Sequence, residues 1–175
     1  MSRDLIELSN ILAGWMLYLA GHADTPRTGA ALADETLRSG AAFEAFLEIV
    51  QAQGGDISLF EGESNPAAHH KPTATRTITA ETSSFFASID CKQAGWAVQR
   101  LGAGRAKPGD PVSAHAGLEM HAKLGDRLEP SQPLITVFAE DESLLNEPEA
   151  MLREAMHFSP TPPTLQPLLR EIIAK

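Results

Sequence analysis

A chain of 175 residues, 43% of them apolar and 21% charged, is long enough for one ordinary domain with a helical appendage and a real hydrophobic core. Its 23 acidic residues outnumber 14 basic ones, and a net charge of −9 disfavours nucleic acid and anionic membrane surfaces as partners. No run of about 18 apolar residues is present to span a membrane, and Met1-Ser2-Arg3-Asp4 has none of the marks of a secretory signal.

The first predicted element is a helix. Leu5, Leu8, Ile11, Leu12, Trp15, Met16 and Leu19 recur at intervals of three and four, and Gly21 stops the run. Ile6, Leu17 and Tyr18 widen the apolar stripe until little polar face remains, so the helix wants burial on several sides. Residues 5–19 are therefore a candidate surface for self-association or for another partner. A second helical stretch runs from Thr25-Pro26 to Gln53, with Ser39-Gly40 as a point of division and Gly54-Gly55-Asp56 as its end. The two are expected to form an antiparallel hairpin.

Ile57 to Pro72 is rich in Gly, Ser, Asn and Pro and reads as a connection. Beyond it the pattern turns to strands. Thr75 to Thr82 alternates, Ser84 to Ile89 is apolar and aromatic, and Pro133 to Ala139 is the strongest strand of all. Between them Cys91 to Leu101 returns to helical spacing and stops at Gly102-Ala103-Gly104. A last amphipathic helix is expected over Glu142 to Met156, followed by an extended proline stretch and a short apolar tail at Leu168 to Ile173. The fold class is α+β: a helical hairpin over 1–56, a linker over 57–74, and a mixed β domain over 75–175.

Few residues point to chemistry, and no catalytic residue, metal site or cofactor site is assigned. Cys91 is the only cysteine, which excludes an intramolecular disulfide and suits a reducing cytoplasm. With only Lys92 as a cationic neighbour, it is expected to be a buried small apolar residue, not a reactive thiol. His69 and His70 are adjacent and so face different ways; with Glu61, Glu63 or Asp56 they read as a solvated loop, not a metal site. His115 and His121 meet only if one strand runs unbroken between them, and no carboxylate or nucleophile accompanies them. Glu140, Asp141 and Glu142 are explained by helix capping and solvation.

Gly102-Ala103-Gly104-Arg105 carries more. Its glycines permit close approach of the backbone, and Arg105 can meet an anion. The loop follows a helix instead of opening one, so it lacks the helix N-terminus of a phosphate cradle. Gly117 to Pro130, continuing into Pro133 to Val137, resembles half of a biotinyl or lipoyl domain. A carrier needs its lysine at a hairpin tip, whereas Lys123 stands just before the Gly125-Asp126 turn, so the carrier function fails and a hammerhead-like fold remains.

Taken in order, these segments resemble the C-terminal region of the thymidine and pyrimidine-nucleoside phosphorylase family. Ile89-Asp90, the helix after it and Leu101-Gly102-Ala103-Gly104-Arg105 are similar to a family run, as are Leu124-Gly125-Asp126 and Gln132-Pro133-Leu134. Asp4-Leu5 to Gly21, Ala52-Gln53-Gly54-Gly55-Asp56 and the tail from Phe158 to Leu168 have family counterparts too. Two departures stand out: Phe85-Phe86 replaces a small-aromatic step, and Ser131 replaces a glycine before Gln-Pro-Leu. The resemblance implies a parent enzyme that splits a pyrimidine nucleoside with phosphate. It also implies that the phosphate loops, base-holding residues and catalytic histidine precede the equivalent of Met1. The chain then requires the missing N-terminal catalytic portion as its partner, and Gly102, Ala103, Gly104 and Arg105 become a loop at the cleft edge.

Overall fold

A computed structural model describes residues 2–60 and 71–173. The chain divides into two compact units, Met1–Asn65 with Gln166–Lys175, and Pro66–Leu165.

The first unit holds three helices. α1 (Arg3–Leu19) ends where Gly21 takes φ 76°. α2 (Pro26–Ser39) starts on a reciprocal cap, Thr25 and Thr28 each accepting from the other's backbone N–H, with proline at its first position. Gly40, at φ 86°, separates it from α3 (Ala41–Ala52), so the division expected at Ser39-Gly40 is present. α1 and α2 run antiparallel: Asn10 bonds Asp34 at 3.2 Å, and Gly14 lies against Pro26 and Ala30. Gly14 and Gly29 meet at the crossing, where a Cβ on either would come within 2.6 Å of the other helix's backbone. They are also the only buried residues of these three helices among the described residues. Phe43, Phe46 and Phe60 form a small aromatic cluster with centroids 5.2–6.4 Å apart.

The second unit contains the core. β1 (Ala74–Thr79), β5 (Pro133–Ala139) and β3 (Gly117–Met120) form one antiparallel sheet in the order β1-β5-β3. β4 (Arg127–Leu128), β2 (Ser84–Ile89) and β6 (Met156–Ser159) form the other, in the order β4-β2-β6. Helices α4 (Cys91–Val98) and α5 (Asn146–Ala155) pack on each other. β5 reads as an apolar run because it is the central strand: Leu134, Ile135, Val137 and Ala139 are all buried. With Ile78, Phe86, Leu101, Leu128, Leu145 and Leu152 they make one contiguous core. Helices and antiparallel sheets together make the chain α+β, the class expected.

One predicted element is corrected. Glu142 to Met156 is not a single helix: Glu142–Leu145 is a 3₁₀ turn, α5 ends at Ala155, and Met156 is already extended at ψ 133°. The chain leaves the helix there because β6 pairs with β2, Ile89 opposite Met156 and Phe86 opposite Phe158, with the two Phe rings stacked at 5.8 Å. The ladder accounts for backbone groups that a further helical turn would otherwise satisfy.

Candidate functional site

The Gly102–Arg105 loop is anchored from inside. Leu101 is fully buried, and the helix widens into a π turn over Gln99–Ala103 that breaks at Gly102, φ 104°, a left-handed conformation suited to glycine. The Gly102 carbonyl accepts from the Ser113 N–H at 2.9 Å. The Gln99 amide donates to the Arg105 carbonyl, and Gly104 packs on the Gln99 side chain, where a Cβ would stand 3.2 Å away. Arg105 Nε donates to the Asp110 carbonyl at 3.1 Å, and the Asp110 carboxylate accepts from the Lys107 N–H at 3.0 Å. The loop is thus a closed, internally bonded projection. On its α4 side, Cys91, Lys92, Gly95, Trp96, Gln99, Gly104 and Arg105 line an open concavity of about 380 Å³.

The other candidates do not assemble. His115 Nδ1 accepts from the Lys71 N–H at 3.3 Å, whereas the His121 ring bonds Thr136 at 2.7 Å. β3 spans only Gly117–Met120, so neither histidine lies within it. Lys123 opens the Gly125-Asp126 turn, its N–H held by the Asp126 carboxylate at 2.8 Å. The strands on either side of that turn belong to different sheets. Among the described residues no three His, Cys, Asp or Glu side chains converge to hold a metal ion. His69, His70, Glu61 and Glu63 lie outside the described residues. Cys91 is exposed, a correction to the buried thiol expected: it is the first residue of α4, and that helix buries Ala97 instead.

Of the acidic run, Asp141 has the capping role expected, whereas Glu140 and Glu142 hold distant partners instead of only solvent. Asp141 accepts from the Ser143 N–H at 2.8 Å, and hydrogen bonding from the Ser143 side chain together with that N–H holds its carboxyl below the ordinary value. Glu140 accepts from the Ser113 hydroxyl. Glu142 belongs to a network with no signal in the linear sequence. From β1, Arg76 reaches Glu142, Asn146 at 2.9 Å and Glu149 at 2.9 Å, and Glu149 also accepts from Arg153 Nε at 2.9 Å. Burial pushes the Glu149 carboxyl up, but the hydrogen bonds and charges of the two arginines outweigh it and leave it below the ordinary value.

Residues 85–159 match the pyrimidine nucleoside phosphorylase C-terminal domain. Over 167 residues, 95% of this chain, the sequence is 35% identical to the thymidine phosphorylase of Mycobacterium tuberculosis, in strain CDC 1551 / Oshkosh and in strain ATCC 25618 / H37Rv alike. Residues 85–159 thus carry the C-terminal domain of the pyrimidine nucleoside phosphorylases, and nearly the whole chain is similar to thymidine phosphorylase. It spans about a third, 36%, of the length of these phosphorylases. The phosphorylase domain match takes in β2 to β6 with both helices and the whole Gly102–Arg105 loop. Ser131, where the resemblance noted in the sequence implies a glycine, is the one non-glycine residue at positive φ, 68°, among the described residues. The backbone there keeps the conformation a glycine adopts freely. No helix among the described residues is long and apolar enough to cross a membrane.

Proposed function

We propose that this chain is the C-terminal part of a cytoplasmic enzyme that splits thymidine or another pyrimidine nucleoside with phosphate, giving free base and (deoxy)ribose 1-phosphate. The observation that carries this reading is the 35% identity to thymidine phosphorylases over 95% of the chain. In this reading residues 1–56 complete the α/β domain of the catalytic portion, 57–74 connect, and 75–175 form a hammerhead-like C-terminal domain. The chain acts as scaffold. Its Gly102–Arg105 loop stands at the cleft edge and takes part in closure, not in breaking the glycosidic bond. The loop's internal bonds support that role, since a rigid projection carries Arg105 without an ordering cost at closure.

The pure chain, incubated with thymidine or uridine and phosphate, is expected to release no free base; turnover would overturn the proposal. In the corresponding full-length enzyme, Arg105→Ala is expected to lower kcat/KM, and unchanged kcat and KM would remove the closure role. A second reading, an independent assembly module, is favoured by the exposure of Leu5, Leu12, Met16 and Leu19 on α1. Sedimentation of the pure chain as a clean monomer would count against self-association.

A further inference from the structure

Gly95 lies in the interior of α4, where glycine is less favourable than alanine because the unfolded chain has more freedom to lose. A glycine in such a place can permit a close internal contact, as Gly14 and Gly29 do. At Gly95 a Cβ would meet nothing within 4 Å. Gly95 is exposed, and its face of the helix opens onto the concavity.

Cys91, Gln99 and Gly104 line part of that space, and an indole and two cations line the rest. Trp96, half exposed at 50%, stands beside it, and Lys92 and Arg105 flank it. No carboxylate lines the concavity, although the chain as a whole carries a net charge of −9. Asp90 already accepts from the Lys92 and Gln93 N–H groups, so the positive potential comes from the two side chains and not from the helix end. Arg105 commits only its Nε, to the Asp110 carbonyl, among the described residues. An exposed indole face offers stacking, and two cations offer charge-assisted hydrogen bonds. A bare anion leaves the indole unused, and a neutral ring leaves the cations unused. A planar ring that carries a negative charge uses both.

We infer that this concavity binds a planar aromatic anion of the nucleoside monophosphate type, its ring against Trp96 over the opening at Gly95 and its anionic group between Lys92 and Arg105. The site is read on this chain alone, whereas cleft closure is read from kinetics of the full-length enzyme, so either idea can fail without the other.

The test is titration of the Trp15→Phe chain with uridine 5′-monophosphate, followed by Trp96 fluorescence, with uridine and inorganic phosphate in separate arms. The expected result is saturable quenching by the monophosphate that weakens with added salt, with each half-ligand binding at least roughly tenfold more weakly. By calorimetry, Trp96→Ala weakens binding roughly tenfold and Lys92→Gln or Arg105→Gln by a factor of about three. Gly95→Leu fills the opening and weakens binding while raising the melting temperature, which separates a blocked site from a damaged fold. Absence of saturable binding, or undiminished binding by Trp96→Ala and Arg105→Gln, would overturn the assignment.

Discussion

Alanine in place of glycine inside a helix raises stability by about 1 kcal/mol when nothing else changes. This chain contains helical glycines at which the same substitution is expected to act with opposite signs. At Gly14 the new Cβ would stand 2.5 Å from the Pro26 carbonyl oxygen and 2.6 Å from the Ala30 nitrogen; at Gly29 it would stand 2.4 Å from the Gly14 oxygen. Ordinary contact begins near 3.4 Å, and backbone atoms cannot swing aside as a side chain can. α1 and α2 must therefore separate by about 1 Å, a gap that forfeits about a quarter to a half of the dispersion well for the atoms lining it. Overpacking of this kind costs about 1–3 kcal/mol, so after the propensity gain Gly14→Ala and Gly29→Ala are each expected to destabilise by up to about 2 kcal/mol. Gly95→Ala meets nothing and is expected to stabilise by about 1 kcal/mol. Trp15 lies in α1 and Trp96 in α4, so Trp96→Phe and Trp15→Phe backgrounds make fluorescence during urea unfolding report each unit separately. A higher midpoint for Gly14→Ala, or a lower one for Gly95→Ala, would refute the reasoning from backbone approach.

Two further outcomes follow from the second unit. The carboxyl of Glu149 is held below its ordinary 4.5, so its contribution is complete above the unfolded value and lost as pH falls through the lower folded one. At neutral pH Glu149→Gln is expected to cost about 1–3 kcal/mol by leaving Arg76 and Arg153 without a shared anion, and the deficit relative to wild type should shrink in urea titrations as pH drops below about 4.5. A deficit independent of pH would mean the loss is one of packing. Asp90→Ala removes the acceptor for two N–H groups at the start of α4 and should lower stability by about 1 kcal/mol, seen in the Trp96 transition.

What was legible in the sequence was whatever local physics decides. Gly21, Gly40 and Gly102 mark helix ends because glycine enters the left-handed region without a Cβ clash, and all three do so at 76°, 86° and 104°. Ser84–Ile89 and Pro133–Ala139 were readable as strands because aromatic and branched residues crowd them. β6 was not readable: the helical pattern runs on to Met156, His157-Phe158-Ser159 is too short to show a strand, and only β2, some 70 residues earlier in the chain, pairs with it. The Arg76–Glu149 network is hidden for the same reason, since pairing across 73 residues leaves no spacing to detect. Cys91 was misplaced because burial on an eight-residue helix depends on which face meets α5. Of the candidate site, the Gly102–Arg105 loop was visible as glycines. The concavity beside it was not, because Lys92 and Trp96 come together with Arg105 only through the turn that Gly102 makes.

The two units differ in what they bury, and the difference bears on how the chain works. Residues 71–165 enclose Ile78, Phe86, Leu101, Leu134 and Leu152, each at most 1% exposed, a core sufficient for a small domain to hold its own shape. In α1, α2 and α3 no large apolar side chain is buried among the described residues, and Met16, Phe43 and Ile49 are 70%, 46% and 55% exposed. Helices with that much apolar surface have paid the entropy of ordering without the burial that offsets it. Their stability must then be more sensitive to what covers them than that of the β domain is. In the proposed enzyme the covering surface is the catalytic portion, which couples the order of α1–α3 to the presence of the part that does the chemistry. Hydrogen exchange that slows across α1–α3 when the catalytic portion is supplied, with little change at Ile78, Leu101 and Leu134, is the expected sign of that coupling. Equal protection with and without it would show that the helices hold themselves together, and the scaffold role would then rest on the β domain alone.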